Sequence, residues 1–439
     1  MLDRINRAFF CMAVLSLFLV SWTLARPNIV LIIGDDQAWS DYGFMGHPVI
    51  KTPHLDRLAS QSLVYRFGYV PTSLCRPSLA TMITGLYPHQ HGITGNDPAR
   101  LKGLSRSSPV FRQDNERLIR RMERLATLPR LLAGVGYLSF QSGKWWEGHF
   151  SRGGFTHGMS HGDPIRGGRH GDEGLKIGRN GLQPLFDFIK EAGDSPFFIW
   201  YAPFLPHTPH DPPERLLEAY RLEGRPTELS RYYAMCAWFD ETVGELLKHL
   251  DVLELTRSTL VLFAADNGWI QRTPRLPVPS GWDFNFAPRS KRSPNEAGIR
   301  TPVLLRWPGK IPVGQSDIPI STIDLAPTIL AAAGLKPTHQ MPGIDLLNQT
   351  AVASREVIFG DIYTHDVVDP NEPAASLKYR WCLQGPWKLI VPHSPNMIDA
   401  ELQLFDVVSD PHETKNLAPS HPQLVGELYR RIQSWWRID

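Results

Sequence analysis

Cys75 opens the run Cys75-Arg76-Pro77-Ser78-Leu79-Ala80-Thr81-Met82-Ile83-Thr84-Gly85. The pattern sets this thiol at the mouth of a helix, three residues before a serine of the capping type, Ser78. A cysteine in that position is placed for chemistry more than for packing. The plainer alternative is a structural thiol, since free cysteine ranks among the most buried residue types. The polar residues elsewhere in the chain decide between the two.

Three polar clusters each follow a short apolar run that reads as a buried strand. Asp35-Asp36 follows Asn28 to Gly34, Pro206-His207-Thr208-Pro209-His210 follows Phe197 to Ala202, and Asp266-Asn267-Gly268 follows Thr259 to Ala265. In open α/β sheets ligands bind beyond the carboxyl ends of strands, so these clusters are expected to converge. Asp35, Asp36, Asp266 and Asn267 then form a hard, all-oxygen set, suited to Ca²⁺, or less well Mg²⁺, and poorly to Zn²⁺. Taken singly, Asp-Asp caps helices and Asp-Asn-Gly makes turns. Their common position after buried strands favours a metal site.

The elements that position these residues alternate short apolar runs with amphipathic stretches, the signature of a mixed or parallel sheet covered by helices. His54 to Val64 spaces Leu55, Leu58, Ala59 and Leu63 as a helix does, and Tyr232 to Leu250 is a second helix, with Trp238, Phe239, Val243, Leu246, Leu247 and Leu250 on one side. Beyond Gly343 the strands shorten: Trp381 to Leu383 and Trp387 to Val391 flank a Gly385-Pro386 turn, and a terminal helix spans His421 to Trp436. The expected organisation is an α/β catalytic domain over 26–343, built on a large mixed sheet flanked by helices, and a smaller α+β domain over 344–439.

Residues 1–25 read as an export signal, with Arg4 and Arg7 before the apolar stretch Ala8 to Trp22 and cleavage near Ala25. That stretch is short for a membrane span, so an exported, periplasmic or extracellular protein without a stable membrane span is expected. Four cysteines, at 11, 75, 236 and 382, are too few and too scattered for a disulfide framework. Of 439 residues, 46 are Lys or Arg and 44 are Asp or Glu, and a formal charge of +2 makes no electrostatic case for nucleic acid. The arginines at 117, 120, 121 and 124 lie at helical spacing and read as a solvated face, with a lesser prospect of steering a polyanionic substrate. The Gly- and His-rich span 153–178, with His157, His161 and His170, spaces its histidines too irregularly for zinc and reads as a mobile loop lining a substrate cleft; Pro274 to Pro288 reads as another rim loop.

These residues carry a resemblance. The chain resembles the type I, formylglycine-dependent sulfatases of the alkaline phosphatase superfamily from Pro27 to about Ala418, through N-I-V-L-I-I-G-D-D (28–36), C-R-P-S (75–78), T-L-P-R-L-L-A-G-V-G-Y with S-G-K-W (127–145), A-P-F-L-P-H-T-P-H (202–210), A-A-D-N-G (264–268), K-R-S-P-N-E-A-G-I-R-T-P (291–302), I-D-L-A-P-T (323–328) and L-F-D-V-V-S-D-P-H-E-T-K-N-L-A (404–418). Their order and spacing are specific to the family. The resemblance implies a sulfuric ester hydrolase acting on a sulfated carbohydrate, with calcium held by Asp35, Asp36, Asp266, Asn267 and position 75. It implies that a maturation enzyme oxidises Cys75 to formylglycine, whose hydrate supplies the oxygen that attacks sulfur. Lys144 and Lys291 match the sulfate-binding lysines, and His207 matches the histidine beside the leaving oxygen, to which proton donation is assigned.

The chain departs from the family pattern twice. Leu79 stands where the motif C-x-P-x-R carries arginine, so the residue that aids modification and hydrogen-bonds in the active site is missing; Arg76 starts from a different place on the turn. Trp146 stands where family members carry the histidine of G-K-W-H, and an indole N–H donates only. Glu147 or His149 is the expected substitute, with His149 also expected to contact substrate. Two other readings stay open: a phosphate or phosphonate ester hydrolase on the same scaffold, and a non-catalytic sulfated-glycan binder without a matured nucleophile.

Overall fold

A computed structural model describes residues 26–99, 105, 107–162 and 168–438. The expected export segment, with Cys11, lies outside the described residues.

Ten strands belong to the first three-quarters of the chain: β1 (Asn28–Gly34), β2 (Leu63–Tyr69), β3 (Asp97–Pro98), β4 (Leu138–Gly143), β5 (His157–Gly158), β6 (Phe197–Ala202), β7 (Thr259–Ala265), β8 (Arg300–Arg306), β9 (Gly314–Ser316) and β10 (Ile320–Ser321). All but β3 form one mixed sheet in the order β10-β2-β8-β7-β1-β6-β4-β5, with β9 also pairing β2. The pairs β7-β1, β1-β6 and β6-β4 are parallel, while β8 runs antiparallel to both β2 and β7. Parallel strands covered on both faces must be apolar on both, and β1 is buried along its whole length. Its Ile29, Leu31 and Ile33 join one apolar cluster, and its Val30 and Ile32 join the other.

The helices partition accordingly. Helices α1 (Pro53–Ser60), α2 (Cys75–Thr84), α3 (Pro88–His91), α4 (Pro109–Arg124), α5 (Leu128–Ala133), α6 (Gln183–Ala192), α7 (Glu214–Tyr220), α8 (Thr227–Val252), α9 (Glu296–Ile299) and α10 (Leu325–Ala332) follow in chain order. Leu79, Met82 and Ile83 of α2, Leu128 and Leu132 of α5 and Ile329 of α10 cover one face; Leu55 and Leu58 of α1, Leu185 and Phe188 of α6 and Phe239, Val243 and Leu246 of α8 cover the other.

The expected helix from His54 to Val64 is corrected. α1 stops at Ser60, and Leu63 and Val64 begin β2. Leu63 fits helical spacing, yet the β-branched and aromatic run Val64-Tyr65-Arg66-Phe67 pairs with β8 once it enters the sheet, which is a tertiary choice that local periodicity does not contain.

The C-terminal part holds α11 (Gln349–Ala353), β11 (Val357–Tyr363), β12 (Asp366–Val367), β13 (Leu377–Gln384), β14 (Trp387–Pro392), β15 (Gln403–Asp406) and α12 (Pro422–Trp435). Strands β11-β13-β14-β15 form a four-stranded antiparallel sheet, with Gly385 at φ 55 in the β13-β14 turn. One face, with Ile358, Ile362, Trp381 and Ile390, merges into the apolar cluster of the large sheet. The other packs Cys382, Leu389 and Leu404 under Leu428 and Ile432 of α12. Separately, β12 pairs in parallel with β3, so the C-terminal part reaches over the segment that follows α3.

Candidate active site

Strand register builds the site. Because Gly34 of β1 lies opposite Ala265 of β7, the residues that follow, Asp35-Asp36 and Asp266-Asn267, emerge side by side. Gly143 of β4 lies opposite Ala202 of β6, which brings Lys144 to the same edge as the turn carrying His207. The turns interlock: Asp35 N–H donates to the Leu205 carbonyl, Asp36 N–H to Asp266 Oδ1 (3.1 Å) and Lys144 N–H to the Ala202 carbonyl (2.7 Å). Asp36 has φ 61, a left-handed conformation that costs a non-glycine residue energy and is held here by those neighbours.

Cys75 begins α2 and therefore sits at the positive end of a ten-residue helix. The expected helix mouth is confirmed, but the residue before the helix is Leu74, which offers no side-chain cap, and Ser78 lies inside the first turns. Cys75, Asp36, Asn96, Trp146, Arg169, His170, His207, Trp269, Phe284, Phe286, Lys291 and His365 line one cleft of about 210 Å³. The Asp35, Asp36, Cys75 and His207 ligand atoms all lie within 4.8 Å of one another.

The charges in this cleft are dense and dry. Lys144 Nζ lies 2.5 Å from Asp35 Oδ1 and 3.5 Å from Asp266 Oδ2, and Lys291 Nζ lies 2.5 and 2.7 Å from the two Asp36 oxygens. Burial opposes the Asp36 charge, but Lys291, His207 and Lys144 hold its carboxyl well below the usual range. Asp35 is driven the other way by burial, with Asp266 and Asp36 adding to it against Lys144. The two lysines lose to burial but gain more from the carboxylates, so both stay charged. Burial pushes the Cys75 thiol up to about 12, against the pull of Lys144 and Lys291, so an unmodified Cys75 holds its proton and is not itself a nucleophile at neutral pH.

His207 donates Nδ1–H to the Thr208 carbonyl (2.6 Å), since a carbonyl can only accept, and this turns Nε2 toward Asp36 Oδ2 at 3.3 Å. Burial drives its pKa well below the usual imidazole value; Asp36 opposes this, and Lys144 and Lys291 reinforce it. Proton donation therefore needs an added negative charge near Nε2, which a bound oxyanion provides.

The donor set fits a divalent cation. Three carboxylates and one amide meet, two lysines neutralise part of their charge, and two oxygens, Asp35 Oδ2 and Asn267 Oδ1, are buried without a hydrogen-bond partner among the described residues. Asp35, Asp36, Asp266 and Asn267 could hold the ion, with position 75 alongside.

Two residues, Glu147 and His149, lie elsewhere than the sequence led one to expect. Glu147 is buried in a two-pronged pair with Arg76, with Nε to Oε1 and Nη2 to Oε2 both 2.8 Å. That pair, with Asn96 and Asn115, occupies the Arg76 guanidinium, so Arg76 does not replace the arginine missing at Leu79, whose own side chain packs in the core. His149 is not among the cleft residues; its Nδ1 lies 2.8 Å from Ser151 Oγ, and its ring packs on Phe150 and His161.

His170, within the Gly- and His-rich span read as lining a substrate cleft, does reach the cleft, although no role was assigned to it. Its ring stands edge-on to Trp146 at 5.1 Å, its carbonyl accepts from Trp145 N–H, and its Nδ1 is buried without a partner. Burial, with Arg169 and Lys144 nearby, lowers its pKa to about 3, so the ring is neutral. The described part of that span is also fastened down: Arg169 pairs with Asp97 at 2.6 Å, and His161 N–H donates to Asp172. The only local signal for His170 was its glycine-rich surroundings, which permit the close approach of Gly171 and Gly174 to the Gly143 carbonyl.

A family model described as Sulfatase matches residues 27–335, most of the chain. The chain belongs to the sulfatase family. A second model, described as N-sulphoglucosamine sulphohydrolase, C-terminal, matches 286–436. The N-acetylgalactosamine-6-sulfatase of Sus scrofa is 32% identical over 362 residues, 73% of this chain and 65% of its own, so the chain spans about two-thirds of that relative's length. The ulvan-active sulfatase of Formosa agariphila is 25% identical across 93% of this chain and 80% of its own. Among solved structures, Ps i-CgsB in complex with k-i-k-neocarrahexaose superposes with a TM-score of 0.72 at 22% identity, covering 94% of each chain, a likeness of fold.

Proposed function

We propose that this sulfatase-family chain is a sulfuric ester hydrolase that releases inorganic sulfate from a sulfated carbohydrate after export from the cell. The observation that carries the reading is that Asp36, Cys75, Lys291 and His207 line one cleft while Asp35, Asp266, Asn267 and Lys144 join them through buried hydrogen bonds and ion pairs. The named relatives act on sulfated sugars, which supports the substrate class. So does the aromatic rim of Trp269, Phe284 and Phe286, since sugar rings pack on aromatic faces.

Calcium is the ion proposed for the four-residue oxygen set. When bound it lowers the proton affinity of an oxygen nucleophile and offsets charge gathering on the sulfuryl oxygens. Formylglycine, made from Cys75 by a maturation enzyme, is the proposed source of that oxygen. Lys144 and Lys291 bind the sulfuryl oxygens, and position 75, where the nucleophile is generated, stands at the positive end of the α2 dipole. His207 hands a proton to the departing alcohol once the bound sulfate has raised the proton affinity of Nε2. Neutral His170 takes the place of the absent histidine beside Trp146 as acceptor of a proton during sulfate release, while the buried, unpartnered Trp146 N–H serves as a donor.

The test is ion chromatography of sulfate released from a panel of sulfated glycans, paired with matched aryl sulfate and aryl phosphate esters. Wild type is expected to release sulfate and Cys75→Ala to release none. Faster cleavage of the phosphate would assign the chain to phosphoryl transfer. Mass spectrometry of the peptide carrying residue 75 reads aldehyde or thiol; a thiol together with glycan binding retained in Cys75→Ala would instead identify a non-catalytic binder.

A further inference from the structure

Helix α4 turns Leu118, Ile119 and Met122 inward, which leaves Arg117, Arg120, Arg121 and Arg124 on its outer side. Arg117, Arg120 and Arg124 are exposed and Arg121 is half-buried. Pro370 and Asn371, from the C-terminal part, stand opposite, and with Gln90, His91 and Leu125 they line an open cavity of about 650 Å³ whose lining, among the described residues, contains four guanidinium groups and no carboxylate. Neighbouring acids compensate only partly. Asp114 pairs with Arg117, and Glu116 is shared between Arg120 and Arg152. Arg121 is spent on the Pro370 carbonyl and on Asn371 Oδ1, while Arg124 has no partner among the described residues. His91 stays neutral, since burial lowers its pKa to about 3, so among the described lining residues the positive charge comes from the arginines alone.

The cavity is tied to the catalytic cleft by one short segment. His365 lines the cleft and Pro370 lines the cavity, five residues apart, which bounds their separation at about 18 Å. The β12-β3 pairing fixes that segment beside Asn96, another cleft residue. A chain of several sugar units can span both.

We propose that this arginine-lined cavity is a second anion subsite that grips a sulfate group of the same polysaccharide, remote from the ester being cleaved. It rests on the sulfated-carbohydrate reading above. Guanidinium forks match the oxygens of a sulfate two at a time, and several together reward a ligand with repeated charges over one with a single charge. The cavity therefore selects polymers and leaves the chemistry untouched.

The experiment uses the full chain with Arg117→Gln, Arg120→Gln and Arg124→Gln combined, and Arg124→Glu alone as a second variant, Arg124 being an exposed side chain with no partner among the described residues. Equilibrium binding of dextran sulfate is measured across a salt series, and turnover is measured on a sulfated polysaccharide and on p-nitrophenyl sulfate. Affinity for dextran sulfate and the polymer KM are expected to worsen about tenfold in the triple variant, with a flatter salt dependence and unchanged kinetics on the small ester. Equal losses on polymer and small ester, or undiminished dextran sulfate binding, would overturn the subsite. Tighter binding of a charge-matched oligonucleotide than of dextran sulfate would overturn its assignment to glycan. If wild type binds dextran sulfate through these arginines and yet releases no sulfate, the cavity stands and the hydrolase reading falls.

Discussion

Arg76 and Glu147 meet in a fully buried pair beside the proposed catalytic residues, and their proximity in sequence to Cys75 and Lys144 disguises a supporting role. Removing one partner strands the other charge, so Glu147→Ala is expected to lower stability by about 3 kcal/mol in denaturant titration. His149→Ala, at the surface, is expected to change neither stability nor turnover. His170→Ala is expected to lower kcat by roughly a hundredfold with little change in KM, as loss of a proton acceptor does; a drop confined to KM would remove His170 from proton transfer. At this scale the sequence was informative wherever a polar cluster followed a legible buried strand, because register then dictates convergence: Asp35, Asp36, His207, Asp266 and Asn267 all qualify, whereas Lys144 was marked only by the family resemblance. It was uninformative for Glu147 and His149, whose side-chain directions depend on what Arg76 and His161 do after folding, and for His170, whose approach to Trp146 depends on glycines packing against a distant carbonyl.

Among the elements, α1 is anchored by an acid from another helix. Asp240 of α8 accepts from the N–H groups of His54 (3.1 Å) and Leu55 (2.7 Å), the unsatisfied donors of the first turn. Burial raises its pKa from 3.8 to about 7 against those two donors. A folded-state pKa above the unfolded one means that the native state binds more protons between the two values. This group's contribution is thus whole below about pH 4 and lost as pH rises to about 7. Asp240→Asn is expected to flatten the fall in Tm over that window; an unchanged slope in differential scanning fluorimetry would refute the account. The largely apolar seam between the two sheets also holds a buried charge cluster. Lys388 of β14 lies 2.8 Å from Glu296 of α9 and 2.6 Å from Glu413, and Glu413 also accepts from the Glu296 N–H and the Asn295 amide. Lys388→Met removes the cation shared by two buried carboxylates, leaving Glu296 with Arg300 at 3.5 Å and Glu413 with Arg289 at 4.0 Å, and is expected to lower stability by about 3 kcal/mol. Elements of this kind were legible where a period was unambiguous, as in α8, β6 and the β13-β14 hairpin. They were not where a helix gave way to a strand within three residues, as between Ser60 and Leu63, since only pairing with β8 decides that.

For the whole molecule, a divalent ion held by the candidate oxygen set would be a structural as well as a chemical partner. An ion that binds the folded chain alone stabilises it by about 2.7 kcal/mol at a hundredfold excess over Kd. Treatment with a chelator is therefore expected to abolish sulfate release and lower Tm together, and added Ca²⁺ to restore both; a Tm indifferent to chelator and Ca²⁺ would argue against the site. The seam has a practical corollary for protein engineers. The segment Ser290–Asn295 that delivers Lys291 is braced from beneath by Glu413 and Lys388, so the C-terminal sheet is no detachable cassette. Chimeras that exchange this region between relatives will keep a working lysine only if α9, its preceding segment, Lys388 and Glu413 travel as one graft.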